Sequence, residues 1–223
     1  MPPRHKASRN EILRAARNLI RDRGPEGLNA RDLGASLGLS PRPIYSHFTS
    51  MEELRNLVMD EILTDFIGFL LSDQGTGRPL LDIGLAEVRF ARAHPREYRM
   101  LQYPLMYRGE GRDRRPQMEA VIDHLLSLAD PDLAGLDRDR LRDRLLPRAI
   151  FTHGLADLVS RGFRPTMTDE EVIGFLRAIG QALGKVERAK EKAKTVPPAA
   201  GPRKPVSKPS PAAKGKVPGR TRK

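Results

Sequence analysis

Among its 223 residues the chain has no cysteine and no tryptophan. Without thiols there is no disulfide framework and no thiolate metal site, and a reducing cytoplasm is the expected setting. No apolar run approaches the roughly 18 residues that a membrane-spanning helix requires. The greasiest stretch, Ile62 to Leu71, is broken by Thr64, Asp65 and Gly68. The N-terminus, MPPRHKASRNEIL, is charged and lacks the apolar region of a secretion signal. β-branched residues are few, and no long stretch alternates polar with apolar side chains, which argues against strands. No Gly-rich phosphate loop, nucleophile elbow, metal-ligand cluster or convincing carboxylate pair is found, so neither enzyme chemistry nor a cofactor is expected. His153 and Asp157 do stand at i, i+4 spacing, but that pair alone is a weak metal signal.

Positive charge is abundant, and its location matters more than its size. The formal net charge is +12, yet eight basic residues and no acid fall between Thr195 and Lys223, which leaves about +4 for residues 1–194. The tail therefore carries most of the attraction for polyanions. It is rich in Pro, Ala, Lys and Gly and poor in large apolar side chains, a composition expected to stay disordered.

Before the tail, the pattern is helical throughout. Ser8-x-x-Glu11, Ser50-x-x-Glu53 and Thr168-x-x-Glu171 have the capping-box form, and Asn29-x-x-Asp32 is a weaker version. A first helix is expected from about Arg9 to Arg23, with Ile12, Leu13, Ala16, Leu19 and Ile20 on one face. Short helices follow at 30–37 and, capped by Ser40 with Pro41 at the first position, up to Phe48. A longer one runs from Ser50 to about Leu71. Further helices are expected at 79–93, 95–107, 115–129, 138–162 and 169–193, and Pro147 should kink or split the fourth of these.

The segment LNARDLGASLGLSPRPIYSHF has the mechanics of a helix-turn-helix over about 29–48. Leu33 and Leu37 anchor its first helix, Gly38 permits the tight turn, Leu39 plugs the angle, and Ile44 and Phe48 hold the second helix to the core. Pro41, Arg42, Pro43, Tyr45, Ser46 and His47 are left for the outward face. An arginine there can donate two bonds to guanine, and Tyr45, Ser46 and His47 can reach phosphates. Two short amphipathic helices with a glycine turn also occur in many other helical domains. The surrounding order is more specific: a capped helix ending in Arg-x-Arg-Gly, then Leu-Asn-Ala-Arg-Asp-Leu-Gly, Leu-Gly-Leu-Ser, Ile-Tyr-Ser-His-Phe and Ser-Met-Glu-Glu-Leu. In spacing and residue type all five blocks resemble the tetracycline-repressor-like (TetR) family over about residues 8–66.

That resemblance implies a three-helix DNA-binding domain over 6–66, an all-helical effector-binding and dimerisation domain over 67–194, and the tail at 195–223. It implies a homodimer on a double-stranded operator, released by a small, largely apolar effector. By position it assigns DNA contact to Ser40, Arg42, Tyr45 and His47 in the second helix of the motif, and to Asn29 and Arg31 ahead of it. Arg4 and Lys6 would belong to an arm before the first helix. Two departures stand out. Met51 replaces a lysine usual at the start of the fourth helix, and Pro43 offers an apolar face suited to a thymine methyl. Ser46 completes the expected surface.

Residues 83–107 and 152–158 are similar to one C-terminal subgroup of that family, with a His-Pro corner at His94-Pro95, Tyr98, and a His-Gly pair at His153-Gly154. The subgroup's tryptophan is missing. Phe66, Phe90, Tyr103, Tyr107, Phe151 and His153 are candidates for an effector pocket, although for each of them ordinary core packing is the commoner role. Leu155, Val159, Phe175, Ile179 and Leu183 recur at three-to-four spacing and are the candidate dimer interface, with Gly154, Gly174, Gly180 and Gly184 allowing close approach. Two recognition helices must sit roughly 34–36 Å apart to meet successive major grooves, which a two-fold dimer provides. The expected function is therefore a sequence-specific transcriptional regulator of the effector-released repressor kind, acting at the nucleoid. The competing reading is an architectural DNA binder dominated by the basic tail.

Overall fold

The computed structural model describes residues 7–106, 115–128, 133 and 135–195, and every regular element among them is helical. Helix α1 (Arg9–Arg23) opens on a reciprocal cap. The Ser8 hydroxyl accepts from the Glu11 amide at 3.3 Å, and the Glu11 carboxylate accepts from the Ser8 amide at 2.7 Å. Its apolar face is the one read from periodicity, with Ile12, Leu13, Ala16, Leu19 and Ile20 all buried. Gly24 stops it at φ +84°, and a 3-10 turn, Pro25–Gly27, leads on.

Helix α2 (Ala30–Ser36) is capped by Asn29, whose side chain accepts from the Asp32 amide at 3.0 Å. Gly38 then turns the chain at φ +65°, a backbone conformation that a side chain would strain. Gly34 matters for another reason. A Cβ there would lie 2.8 Å from the Leu39 carbonyl oxygen, so only glycine lets α2 meet the turn that follows it. Helix α3 (Arg42–Tyr45) is a single turn, shorter than periodicity suggested. Leu33, Ile44 and Phe48 are buried and join α2 and α3 to α1 and to α4 (Met51–Leu70) through one core. Each such burial contributes about 1.5–3 kcal/mol.

Helix α4 belongs to both halves of the chain. Leu54, Val58, Ile62 and Phe66 form one buried row, and Met59, Leu63, Ile67 and Leu70 form a second. It packs on α1 and on α5 (Pro79–Ala93), α6 (Pro95–Met106) and α7 (Arg115–Ser127). This is why Ile62 to Leu71 reads as the greasiest stretch: it is covered on more than one side. Helix α5 packs most extensively on α8 (Arg138–Ser160). The start of α9 (Asp169–Thr195) is tied to α5 by Arg89 and Arg92, both within 2.9 Å of Asp169. Partial burial works against the Asp169 charge, yet Arg92 and Arg89 hold the carboxyl below its ordinary range. Met1–Lys185 form one compact unit; Val186–Lys223 form a second, helical through Thr195.

The structure corrects several expectations. Ser40 does not cap α3: the N-cap is Pro41, and no side chain bonds the free amides there. The Ser50 hydroxyl accepts from Glu53 as expected, but the Glu53 carboxylate reaches back to the amide and hydroxyl of Thr49, at 2.6 and 2.7 Å. Pro147 does not split its helix, because α8 runs continuously through it. Nearby, the Arg148 guanidinium donates to the Arg144 carbonyl. The arm, with Arg4 and Lys6, lies outside the described residues, as do Tyr107 and tail residues 196–223.

Candidate nucleic-acid interface

The outward face of the helix-turn-helix is built from its buried face. Ile44 and Phe48, four residues apart and 1% and 2% exposed, fix the rotation of the recognition segment. That rotation turns Tyr45 outward, 52% exposed despite its aromatic ring, together with Arg42, Ser46 and His47. Pro41 and Ser40 are exposed beside them, while Pro43 is half-buried. The Ser46 hydroxyl donates to the Pro43 carbonyl at 2.6 Å, so its oxygen lone pairs, rather than its proton, face outward. Arg31 is exposed on α2. Asn29 is exposed too, but its amide group is spent within the chain, on the Asp32 amide, the Asp32 carboxylate and the Gly27 carbonyl.

One basic side chain that sequence reading passed over contacts the last residue of the motif. The Arg9 guanidinium lies over the Phe48 ring, 5.1 Å from its centroid. Nothing in the local pattern announced it, since the two residues are joined only by the tertiary packing of α1 on the motif.

A second cluster joins α1 to α6. The Glu97 side chain is fully buried, and its Oε1 accepts from Arg17 Nε at 2.7 Å and from Arg21 Nε at 2.9 Å. Oε2 accepts no hydrogen bond, and His94 Nδ1 stands 3.3 Å from it. Arg17 also reaches Asp65 on α4 at 2.6 Å, and Arg96 donates to the Arg21 carbonyl at 2.8 Å. Burial acts against the Arg17 charge, but hydrogen bonds to Glu97 and Asp65 raise its pKa above the ordinary value.

The third cluster lies where α5, α6 and α8 meet. The Tyr98 hydroxyl donates to Glu87 Oε1 at 2.7 Å, and His153 Nδ1 stands 3.0 Å from the same oxygen and 2.9 Å from the hydroxyl. Tyr98, which follows the His-Pro corner, and His153 of the His-Gly pair are thus brought into direct contact, with Glu87 as a third partner that sequence reading missed. Burial, and then Glu87, push the Tyr98 pKa strongly up; the Glu87 hydrogen bond raises that of His153 against the opposing effect of burial. Phe66 and Phe90 pack edge to face beside this group, centroids 5.1 Å apart, and both are buried; Phe151 is half-buried. Tyr103 lies on α6, but its side chain is outside the described residues. Among the described residues, no three His, Asp or Glu side chains converge as a metal site would require, and no helix is long and apolar enough to cross a membrane.

Of the candidate dimer residues, Val159 is buried within the protomer, Leu155, Ile179 and Leu183 are half-buried, and Phe175 is exposed.

Residues 12–58 match the family described as bacterial regulatory proteins, tetR family. The HTH-type transcriptional repressor KstR2 of Mycolicibacterium smegmatis is 24% identical over 178 residues, which span 79% of this chain and 77% of that protein. A TetR-like transcriptional regulator from Rhodococcus sp. RHA1 superposes with a TM-score of 0.54 at 17% identity, over 77% of this chain and 92% of its own. AibR, solved in complex with isovaleryl coenzyme A and operator DNA, superposes with a TM-score of 0.51 at 17% identity, over 75% and 95%.

Proposed function

We propose, from the tetR-family match over residues 12–58 and the likeness to a transcriptional repressor, that this chain is a DNA-binding transcriptional regulator of that family and acts as a homodimeric repressor released from its operator by a small molecule. The observation that carries the DNA-reading part is the exposed polar face of residues 42–47, held by Ile44 and Phe48 beneath it. Arg42 reads a base edge, Tyr45 and His47 take phosphates, and Pro43 turns an apolar edge toward a thymine methyl. Arg31, Ser40 and Ser46 flank that face. Asn29 serves first as the cap that points α2.

Effector binding is placed at the junction of α4, α5, α6 and α8. There Phe66, Phe90 and Phe151 offer apolar surface beside the polar group of Tyr98, Glu87 and His153. That AibR carries an acyl thioester and operator DNA supports a ligand-responsive reading of the same fold. Binding would favour the conformer in which the two recognition helices are wrongly spaced, lowering operator affinity by differential binding. Dimerisation is placed on α8 and α9, which leave Ile150, Leu158 and Phe175 exposed next to Gly154 and Gly174, where nothing lies within 4 Å of a built Cβ. The site of action is nucleoid DNA in the cytoplasm.

Gel shift with the DNA beside the chain's own gene tests the reading surface. The double variant Arg42→Ala, Tyr45→Phe should bind that fragment at least about 10-fold more weakly, from the loss of a bidentate base contact worth about 1–3 kcal/mol. Undiminished specific binding would remove these residues from the interface.

A further inference from the structure

We propose that Arg9, at the start of α1, is a DNA-backbone contact of this regulator, a guanidinium stacked on Phe48 and presented to a phosphate at the edge of the recognition surface. The inference rests on the DNA-reading face described above and adds to it a residue from another helix.

Three observations carry it. The first is position: the Arg9 guanidinium stands 5.1 Å from the ring of Phe48, the residue that follows His47 and closes the motif. The second is the absence of a carboxylate partner. Arg9 makes no ion pair among the described residues, and the two glutamates that flank the motif's caps have partners of their own. Glu11 is held by the amide and hydroxyl of Ser8, and Glu53 by those of Thr49. The third is order. Contact with a ring that is itself buried restricts an otherwise mobile side chain, while Arg9 remains an exposed residue. A planar, permanently charged fork held in this way suits a phosphate oxygen better than a base edge, whose recognition needs deep entry into the groove.

The test is the salt dependence of binding, which counts phosphate contacts where affinity alone cannot. Wild type, Arg9→Gln and Arg9→Lys are titrated against the duplex beside the chain's own gene and against a scrambled duplex of equal length. With one contact per subunit of a dimer, the slope of log K against log salt should fall by about 1.8 in Arg9→Gln. Between about 50 and 200 mM salt the wild type should then lose roughly 12-fold more affinity than this variant. The change should be the same on both duplexes, and Arg9→Lys should keep the wild-type slope. A wild-type slope in Arg9→Gln overturns the proposal, whatever happens to its affinity, and so does an effect confined to the specific duplex. A wild type that fails to prefer its own duplex would instead count against the regulator reading, and the scrambled duplex would still decide Arg9.

Discussion

At His153 the imidazole Nδ1 faces the Glu87 carboxylate and the Tyr98 hydroxyl at 3.0 and 2.9 Å, so this side chain is held by polar partners as much as by packing. Its pKa is raised in the folded protein, first by the Glu87 hydrogen bond. A native state that holds the proton more tightly than the unfolded chain gains stability from it. That gain is complete below the ordinary histidine value of 6.5 and is lost as pH rises through the higher folded value. Replacing His153 by Gln should therefore cost most near pH 5.5 and progressively less toward about pH 9. Urea unfolding of both proteins across that range is the measurement, and a cost that grows with pH would contradict the assignment. Sequence alone marked His153 and Tyr98 as a pair of signatures. Glu87 escaped notice because a glutamate on an amphipathic helix is ordinarily solvated, and only tertiary packing shows that it is not.

The joint between α1 and α6 is polar where most of the fold is apolar. Glu97 sits in the first turn of α6 with a side chain that solvent does not reach, opposite Arg17, which is largely covered, and Arg21, which is about half exposed. Removing one member of such a group strands the others, at about 3–5 kcal/mol for a fully enclosed set. Because water reaches Arg21, we expect about 2 kcal/mol for Glu97→Gln, read as a lowered urea midpoint; a loss under about 0.5 kcal/mol would show the joint to be ornamental. Elements with strong end signals were legible in advance. The Ser8, Asn29 and Thr168 caps are legible in four-residue windows, and the starts of α1, α2 and α9 follow from them. Elements set by contacts between distant residues were not. Beyond the single turn of α3 the chain goes on as turn bonds, from Ser46 to the Pro43 carbonyl and from His47 and Phe48 to that of Ile44, an irregularity that periodicity does not show. Gly34 looks like any helix-weakening glycine until Leu39 is brought against it. Pro147 stays inside a helix although its propensity argues for a break, and its exposed position shows no packing that accounts for it.

Across the molecule, the exposed apolar side chains of α8 and α9 are the feature least suited to an isolated protomer. Leu158 and Phe175 are 45% and 41% exposed, on the two helices where glycines leave open surface. If these side chains form the dimer interface proposed above, glutamate at both positions should leave each protomer folded and give a monomer in sedimentation analysis where the wild type gives a dimer. Operator affinity should fall by two orders of magnitude or more, because one half-site then binds without the other. A double variant that still sediments as a dimer would move the interface elsewhere. Helix α4 has a consequence of its own. At 20 residues it is a rod about 30 Å long, with the reading head at one end and the aromatic cluster around Phe66 near the other. A rod of that length works as a lever. A tilt of only about 5° about one end carries the other through roughly 2.6 Å, most of the width of a hydrogen bond. A movement too small to alter any single contact near Phe66 is thus enough, at the far end, to take a base contact out of reach.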